Sequence, residues 1–131
     1  MVNDPVGDLV ARIRNAGALG RAAVSMPHSS FQAAVADALV SAGYLKSAAK
    51  RSKKGRKTLD VELVYREDGS HAISGAKRLS KPSRRLYIAS ADIFPVKFGR
   101  GSLILSTPQG VLTGEEARRR RVGGEQLFII W

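Results

Sequence analysis

The sequence contains no cysteine, only two histidines and five prolines, and half as many acidic residues as basic ones. Without cysteine there is no disulfide framework and no thiolate metal site, which suits a reducing compartment. No apolar run approaches the roughly 18 residues that a membrane-spanning helix needs. The first stretch, MVNDPVGDLVARIRNAG, carries acids early and no long apolar run, so it is not expected to be a secretory signal. His28 and His71 stand in a loop and at a strand start, neither with a second histidine or carboxylate at ligand spacing. No metal site and no cofactor is therefore expected.

Catalytic constellations are missing as well. Ser106 has no glycine-flanked elbow and no histidine placed to act as its base. The GxG in Phe98-Gly99-Arg100-Gly101 precedes a strand and opens no helix, so it cannot cradle a pyrophosphate in the dinucleotide manner. Acidic residues are scattered, with no cluster to hold magnesium for a nuclease. Aromatics number four Phe, three Tyr and one Trp, and no strand shows the aromatic pattern of an RNA-recognition-motif platform. The chain is not expected to be an enzyme.

What the sequence does have is positive charge. Twenty-two Lys and Arg against eleven Asp and Glu leave a formal charge of +11 on 131 residues, 44% of which are hydrophobic. That apolar share can build a core for one ordinary domain or two small lobes. A field this positive concentrates polyanions, with nucleic acid first among them and an anionic membrane second. The cations are grouped: seven lie in KSAAKRSKKGRK (46–57), five in KRLSKPSRR (77–85), and Arg118 to Arg121 form a third run. One such run is commonly a solvated face. Three in a small chain indicate a phosphate-contacting surface, with Lys53 and Lys54 in the first run and Lys81, Arg84 and Arg85 in the second.

Periodicity divides the chain. Asn3 or Asp4 can cap a first helix with Pro5 in its first turn; Val6, Leu9, Val10 and Ile13 form its apolar stripe, and Gly17 is a plausible stop. Residues 22–26 suit a short strand ended by Pro27. Ser29 or Ser30 can cap a second helix with Phe31, Ala34, Val35, Ala38, Leu39 and Ala42 on its apolar face, closed by Gly43. Alternation then takes over. Leu59, Val61, Leu63 and Tyr65 point to one face of a strand, residues 67–70 form a turn, and His71 to Ile73 begin the returning strand. The basic stretch 50–57 reads as the loop before that hairpin. Strands are expected at 85–88, 102–106 and 126–131, with Thr113-Gly114-Glu115-Glu116 as a capping box for a short helix bearing the four arginines. The expectation is an α+β protein of two small lobes: an N-terminal α/β lobe (helix, strand, helix, strands) over 1–75, and a C-terminal, mostly antiparallel β lobe with a short helix over 76–131.

One interruption stands out in the second lobe. Between the apolar runs of SLILSTPQGVL (102–112) sit Ser106, Thr107, Pro108, Gln109 and Gly110. Hydroxyls and an amide, held where proline fixes φ and glycine permits a positive φ, present small donors and acceptors rigidly. Such groups suit base edges, 2′-hydroxyls or phosphates. An ordinary hairpin turn fits the same residues.

Several segments together resemble the bacterial small-subunit ribosomal protein number eight. They are SKPSRRLY (80–87), GRGSLILSTPQGVLTGEEAR (99–118) and VGGEQLFIIW (122–131), with NDPVGDLVARIRNAG (3–17) and VSMPHSSFQAAVADALVSAGYL (24–45) following the same plan. The resemblance runs in order over nearly the whole chain, and its most specific part is the serine–threonine turn followed by a GGE.

This resemblance implies a structural constituent of the small ribosomal subunit, cytoplasmic and ribosome-bound, that binds a helix of the 16S rRNA central domain early in 30S assembly. It implies that the turn Ser106 to Gly110 enters a distorted, partly unpaired region of that helix. Tyr87, Gly123, Gly124 and Glu125 would frame the same surface, and the segment from Ser29 and Ser30 to Gln32 would contact RNA backbone from the other lobe. The partners implied are rRNA, other small-subunit proteins and an operon mRNA that mimics the rRNA site; neither DNA nor a membrane is expected, and the protein would be a monomer within the ribosome. This chain differs from the common family pattern at Pro108 (a hydroxyl), Gln109, Ser30 and Gln32 (lysines) and Ser83 (glycine). The rivals are a feedback regulator acting on mRNA and a free, basic architectural protein outside the ribosome.

Overall fold

The computed structural model describes residues 4–95 and 101–131, with the backbone alone for Lys53. Asn3 and the Phe98-Gly99-Arg100 stretch lie outside the described residues. The chain divides into two units, Pro5–Ile73 and Ser74–Trp131, the second joined by Asp4. The fold is α+β, with two antiparallel sheets.

In the first unit, helix α1 (Pro5–Ala18) buries Val6, Leu9, Ile13 and Ala16 at helical spacing, while Arg12 faces solvent and pairs with Asp8 one turn back. Gly17 is not the stop. It lies inside the helix, and a Cβ there would meet the His71 ring at 2.0 Å, so glycine is needed for close packing; the chain turns at Gly20, φ 71°. Strand β1 (Ala23–Pro27) leads to α2 (Ser30–Ser41), capped by Ser29, whose Oγ accepts from the Gln32 N–H at 3.1 Å. The buried face of α2 is Gln32, Val35, Ala36, Ala38 and Leu39, while Phe31 is exposed. Phe31 was expected in the core; the face is instead turned toward Gln32 and Ala36, and Gln32 satisfies its amide by donating to the Pro5 carbonyl at 2.8 Å. A buried amide with a partner avoids the desolvation cost of an orphan.

Strands β2 (Leu45–Lys53) and β3 (Arg56–Leu63) make a long hairpin, and the sheet order is β1-β3-β2. The basic stretch expected as a loop is therefore ladder: Arg51 pairs with Thr58, Ser52 with Lys57 and Lys53 with Arg56. The turn is the two residues Lys54 (φ 51°) and Gly55 (φ 77°), whose left-handed conformations match the twist of a two-residue hairpin. Leu59, Val61 and Leu63 alternate into the core as expected. The returning strand at 71–73 reduces to one bridge, Tyr65 to His71, with the Ala72 N–H donating to the Val64 carbonyl.

In the second unit, β8 (Gly124–Ile130) is flanked on one edge by β4 (Ala76–Arg78) and β5 (Tyr87–Ile88), and on the other by β6 (Ser102–Thr107), which pairs with β7 (Gly110–Thr113). Strands β4 and β7 were not anticipated. β4 is short and defined by its distant partner β8, and β7 is the short return arm of a tight hairpin with β6. Helix α3 (Gly114–Arg119) starts at Thr113, whose Oγ1 accepts from the Glu116 N–H at 3.2 Å; the Glu116 carboxylate takes Arg119 and Arg120. Ala117 of α3 buries with Ile93, Leu103 and Leu105. Register shifts between Ile104 and Leu105, so Leu127 is an extra residue and both Leu127 and Phe128 are buried in sequence.

Candidate nucleic-acid interface

The β6–β7 hairpin turns on two residues, Pro108 and Gln109, because Thr107 already pairs with Gly110. Ser106, Thr107 and Gly110 are thus strand residues, and only Pro108 and Gln109 form the exposed tip. Gly110 has φ 113°, a conformation that favours glycine. The Thr107 hydroxyl closes this turn: Oγ1 accepts from the Gln109 N–H at 3.1 Å and donates to the Gly110 carbonyl at 2.7 Å. Its proton is committed within the hairpin. Ser106 is half-buried, and its hydroxyl makes no side-chain hydrogen bond among the described residues.

Register brings the rest of the surface beside it. Ser106 is opposite Glu125 on β8, and Glu125 is opposite Tyr87 on β5. Residues directly opposite in an antiparallel ladder project to the same face, so Tyr87, Glu125 and Ser106 form one row across three strands. Tyr87 is 71% exposed. An exposed ring beside a hydroxyl and a carboxylate offers a stacking face with hydrogen-bonding groups next to it.

The glycines explain how three strands approach this closely. A Cβ on Gly124 would lie 2.1 Å from the Ser106 carbonyl oxygen, and one on Gly123 would lie 2.3 Å from the Ile88 carbonyl oxygen. Neither position admits a side chain without moving backbone. Glu125 receives Arg85 Nη1 at 3.0 Å, and this bond and charge push the Arg85 guanidinium pKa further up. Arg85 is thereby a fixed cation at the rim of the row.

Lys81 and Arg84 bracket a tight turn, the Lys81 N–H donating to the Arg84 carbonyl at 2.8 Å and the Arg84 N–H returning the bond at 2.9 Å. Pro82 and Ser83 are its exposed tip. Ser83 is not among the residues with positive φ, so the backbone does not require glycine there. At the base of this loop Ser80 is 2% exposed; its Oγ accepts from the Leu86 N–H at 2.8 Å and donates to the Leu86 carbonyl at 3.2 Å. Sequence reading missed Ser80. The two bonds clamp the loop that carries Lys81, Arg84 and Arg85; in the sequence, a serine between Leu79 and a basic run gives no sign of its burial.

The remaining candidates belong to the first unit. Ser29 is half-buried and occupied as the α2 cap, Ser30 is exposed in the first turn, and Lys54 is exposed at the β2–β3 turn. Gln32 faces the core. Among the described residues there is no group of three His, Asp or Glu side chains placed to hold a metal ion, and no helix is long and apolar enough to cross a membrane.

These features define a small, basic α+β protein that carries a hydroxyl-bearing hairpin beside an exposed tyrosine. The family model for "Ribosomal protein S8" matches residues 4–131. The small ribosomal subunit protein uS8 of Hyphomonas neptunium is 46% identical over 130 residues, covering 99% of this chain and 98% of that protein. Those of Chloroflexus aurantiacus (45% over 131 residues) and Rubrobacter xylanophilus (43% over 130) cover the same shares. The chain belongs to the ribosomal protein S8 family, whose members are structural proteins and not enzymes.

Proposed function

We propose that the protein is a structural constituent of the small ribosomal subunit that binds a helix of the 16S rRNA central domain and supports 30S assembly. It works there as a monomer among other small-subunit proteins, on ribosomes in the cytoplasm. The observation that carries this reading, beyond family membership, is the row Tyr87–Glu125–Ser106 beside the Pro108–Gln109 tip. Regular A-form RNA hides its bases in a deep, narrow major groove, so a small rigid surface gains base contacts only where the helix is irregular. Ser106 is the reading hydroxyl, Tyr87 a stacking face, and Thr107 holds the hairpin shape. Pro108 keeps an apolar face at the tip, with Gln109 and Gly110 beside it. Lys81, Arg84 and Arg85 neutralise phosphates, as do Lys53 and Lys54, releasing counterions. Ser29 and Ser30 are backbone contacts at the α2 start, and Gly123, Gly124 and Glu125 shape the surface.

Neither rival, a free architectural protein or a dedicated mRNA regulator, is favoured by the family match. An mRNA of its own operon that copied the rRNA element would still meet the same surface. Crosslinking on intact small subunits tests the reading: 16S central-domain nucleotides are expected at Ser106 and Tyr87. Retention of the protein through a moderate salt wash with those positions uncrosslinked would overturn it.

A further inference from the structure

We infer that the projecting end of the β2–β3 hairpin is a second RNA-contacting element, one that grips the phosphate rows on both rims of a duplex groove without reading sequence. This rests on the RNA-binding reading above and concerns a different unit of the chain.

The hairpin outruns its sheet. The last β1 pair on β3 is Pro27 with Thr58, and the ladder continues through Ser52–Lys57 and Lys53–Arg56 to the turn. The two pairs beyond Thr58 make a two-stranded ribbon roughly 7 Å long before the turn, with the His28 N–H still bonded to the Lys57 carbonyl at its base. Residues 50–57 hold six cations and no acid. Lys50, Lys54, Arg56 and Lys57 are all exposed, and among the described residues none has a carboxylate at ion-pair distance; Arg51 alone is paired, with Asp60 at 3.3 Å.

Alternation decides how these charges point. Lys57 is two residues before buried Leu59, and Lys50 is paired with Leu59, so both project to the face that carries the core further along. Arg56 projects to the other face with Thr58 and Asp60, and Lys54 is at the apex. A ribbon with cations on both faces meets anions on two sides at once. Across the mouth of the narrow A-form major groove, the two phosphate rims present that arrangement. An acidic protein segment would engage one face and ordinarily adds an apolar anchor, and this tip has no apolar side chain.

Protection of an exposed sheet edge is the bland alternative. Lysine on an edge strand discourages pairing with other chains, and β2 is an edge. That accounts for Lys50. It does not account for Arg56 and Lys57 on β3 or for Lys54 in the turn. The cations gathered at Lys54, Arg56 and Lys57 repel one another in the free protein, a cost that bound phosphate offsets.

The test uses the full chain and the triple variant Lys54→Asn, Arg56→Thr and Lys57→Thr. Asn tolerates the left-handed turn position and Thr suits strands, so the hairpin is retained; circular dichroism and an unchanged or raised melting temperature verify this. Binding is measured across a salt series to a perfect mixed-sequence RNA duplex and to a 16S central-domain fragment. On the duplex, the slope of log affinity against log salt is expected to become shallower by roughly 2 to 3, since each lost phosphate contact removes about 0.9. A folded variant with unchanged slope and affinity on both RNAs would overturn the proposal. Unchanged RNA binding with loss from salt-washed small subunits would also overturn it, in favour of an acidic protein partner. Ser106→Ala, run in parallel, is expected to keep the wild-type slope; its failure to affect the fragment would count against the reading hydroxyl and leave the hairpin result standing.

Discussion

At the residue scale, the two hydroxyls of the β6–β7 hairpin have separate tasks. Thr107 Oγ1 makes two bonds inside the turn, so Thr107→Val is expected to lower stability by about 1 kcal/mol and to weaken RNA binding through a looser tip, whereas Thr107→Ser restores both. Thermal melts and binding isotherms for the pair check this. Ser80→Ala removes the acceptor of the Leu86 N–H, while the Leu86 carbonyl keeps its bond from the Gln126 N–H, and should cost roughly 1–3 kcal/mol. His71 supplies a pH dependence. Burial, and secondarily the Arg66 charge, lowers its pKa below the ordinary 6.5, and its ring lies tilted against Tyr65 with centroids 5.5 Å apart. The unfolded chain then takes up a proton that the folded chain resists. Stability is complete above about pH 6.5 and declines as pH falls through that value toward the folded pKa. Melting temperature against pH between about 6.5 and 5 should slope in the wild type and flatten in His71→Gln.

At the scale of elements, close approach of strands is the controlling feature. Gly124→Ala would drive a Cβ into the Ser106 carbonyl at 2.1 Å. Backbone on both sides must yield, with an expected loss of about 1–3 kcal/mol and a shift of Ser106 away from Tyr87; a variant melting like the wild type would contradict this. Legibility in the sequence follows the same division. Helices α1 and α2 and strand β3 were readable because one face of each recurs or alternates against a core, and β6 and β8 because each is a short continuous apolar run. The 50–57 stretch was misread because both its faces are solvated past the sheet, so no apolar alternation marks it as strand; Gly55 after Lys54 was the remaining cue. Phe31 and Gln32 were exchanged because helix phase over one turn is ambiguous when alanines fill most of the face. The residue set around Ser106 could be chosen from sequence, but not the commitment of Thr107 or the row with Tyr87, which depend on register between distant strands.

At the scale of the whole molecule, a charge of +11 makes the free protein repel itself. Moderate salt should raise the melting temperature of the free chain by screening, yet weaken its RNA complexes. Phosphate contacts and base contacts therefore separate experimentally: the first change with salt, and the second do not. The most direct measurement of the central claim is the affinity of wild type and Ser106→Ala for an irregular 16S central-domain fragment and for a perfect duplex of equal length, each over a salt series. The wild type should prefer the irregular RNA at every salt concentration, and Ser106→Ala should lose most of that preference while keeping the same salt slope on the duplex. An equal loss on both RNAs, or a preference untouched by the substitution, would contradict the claim that this hairpin reads an irregular RNA feature.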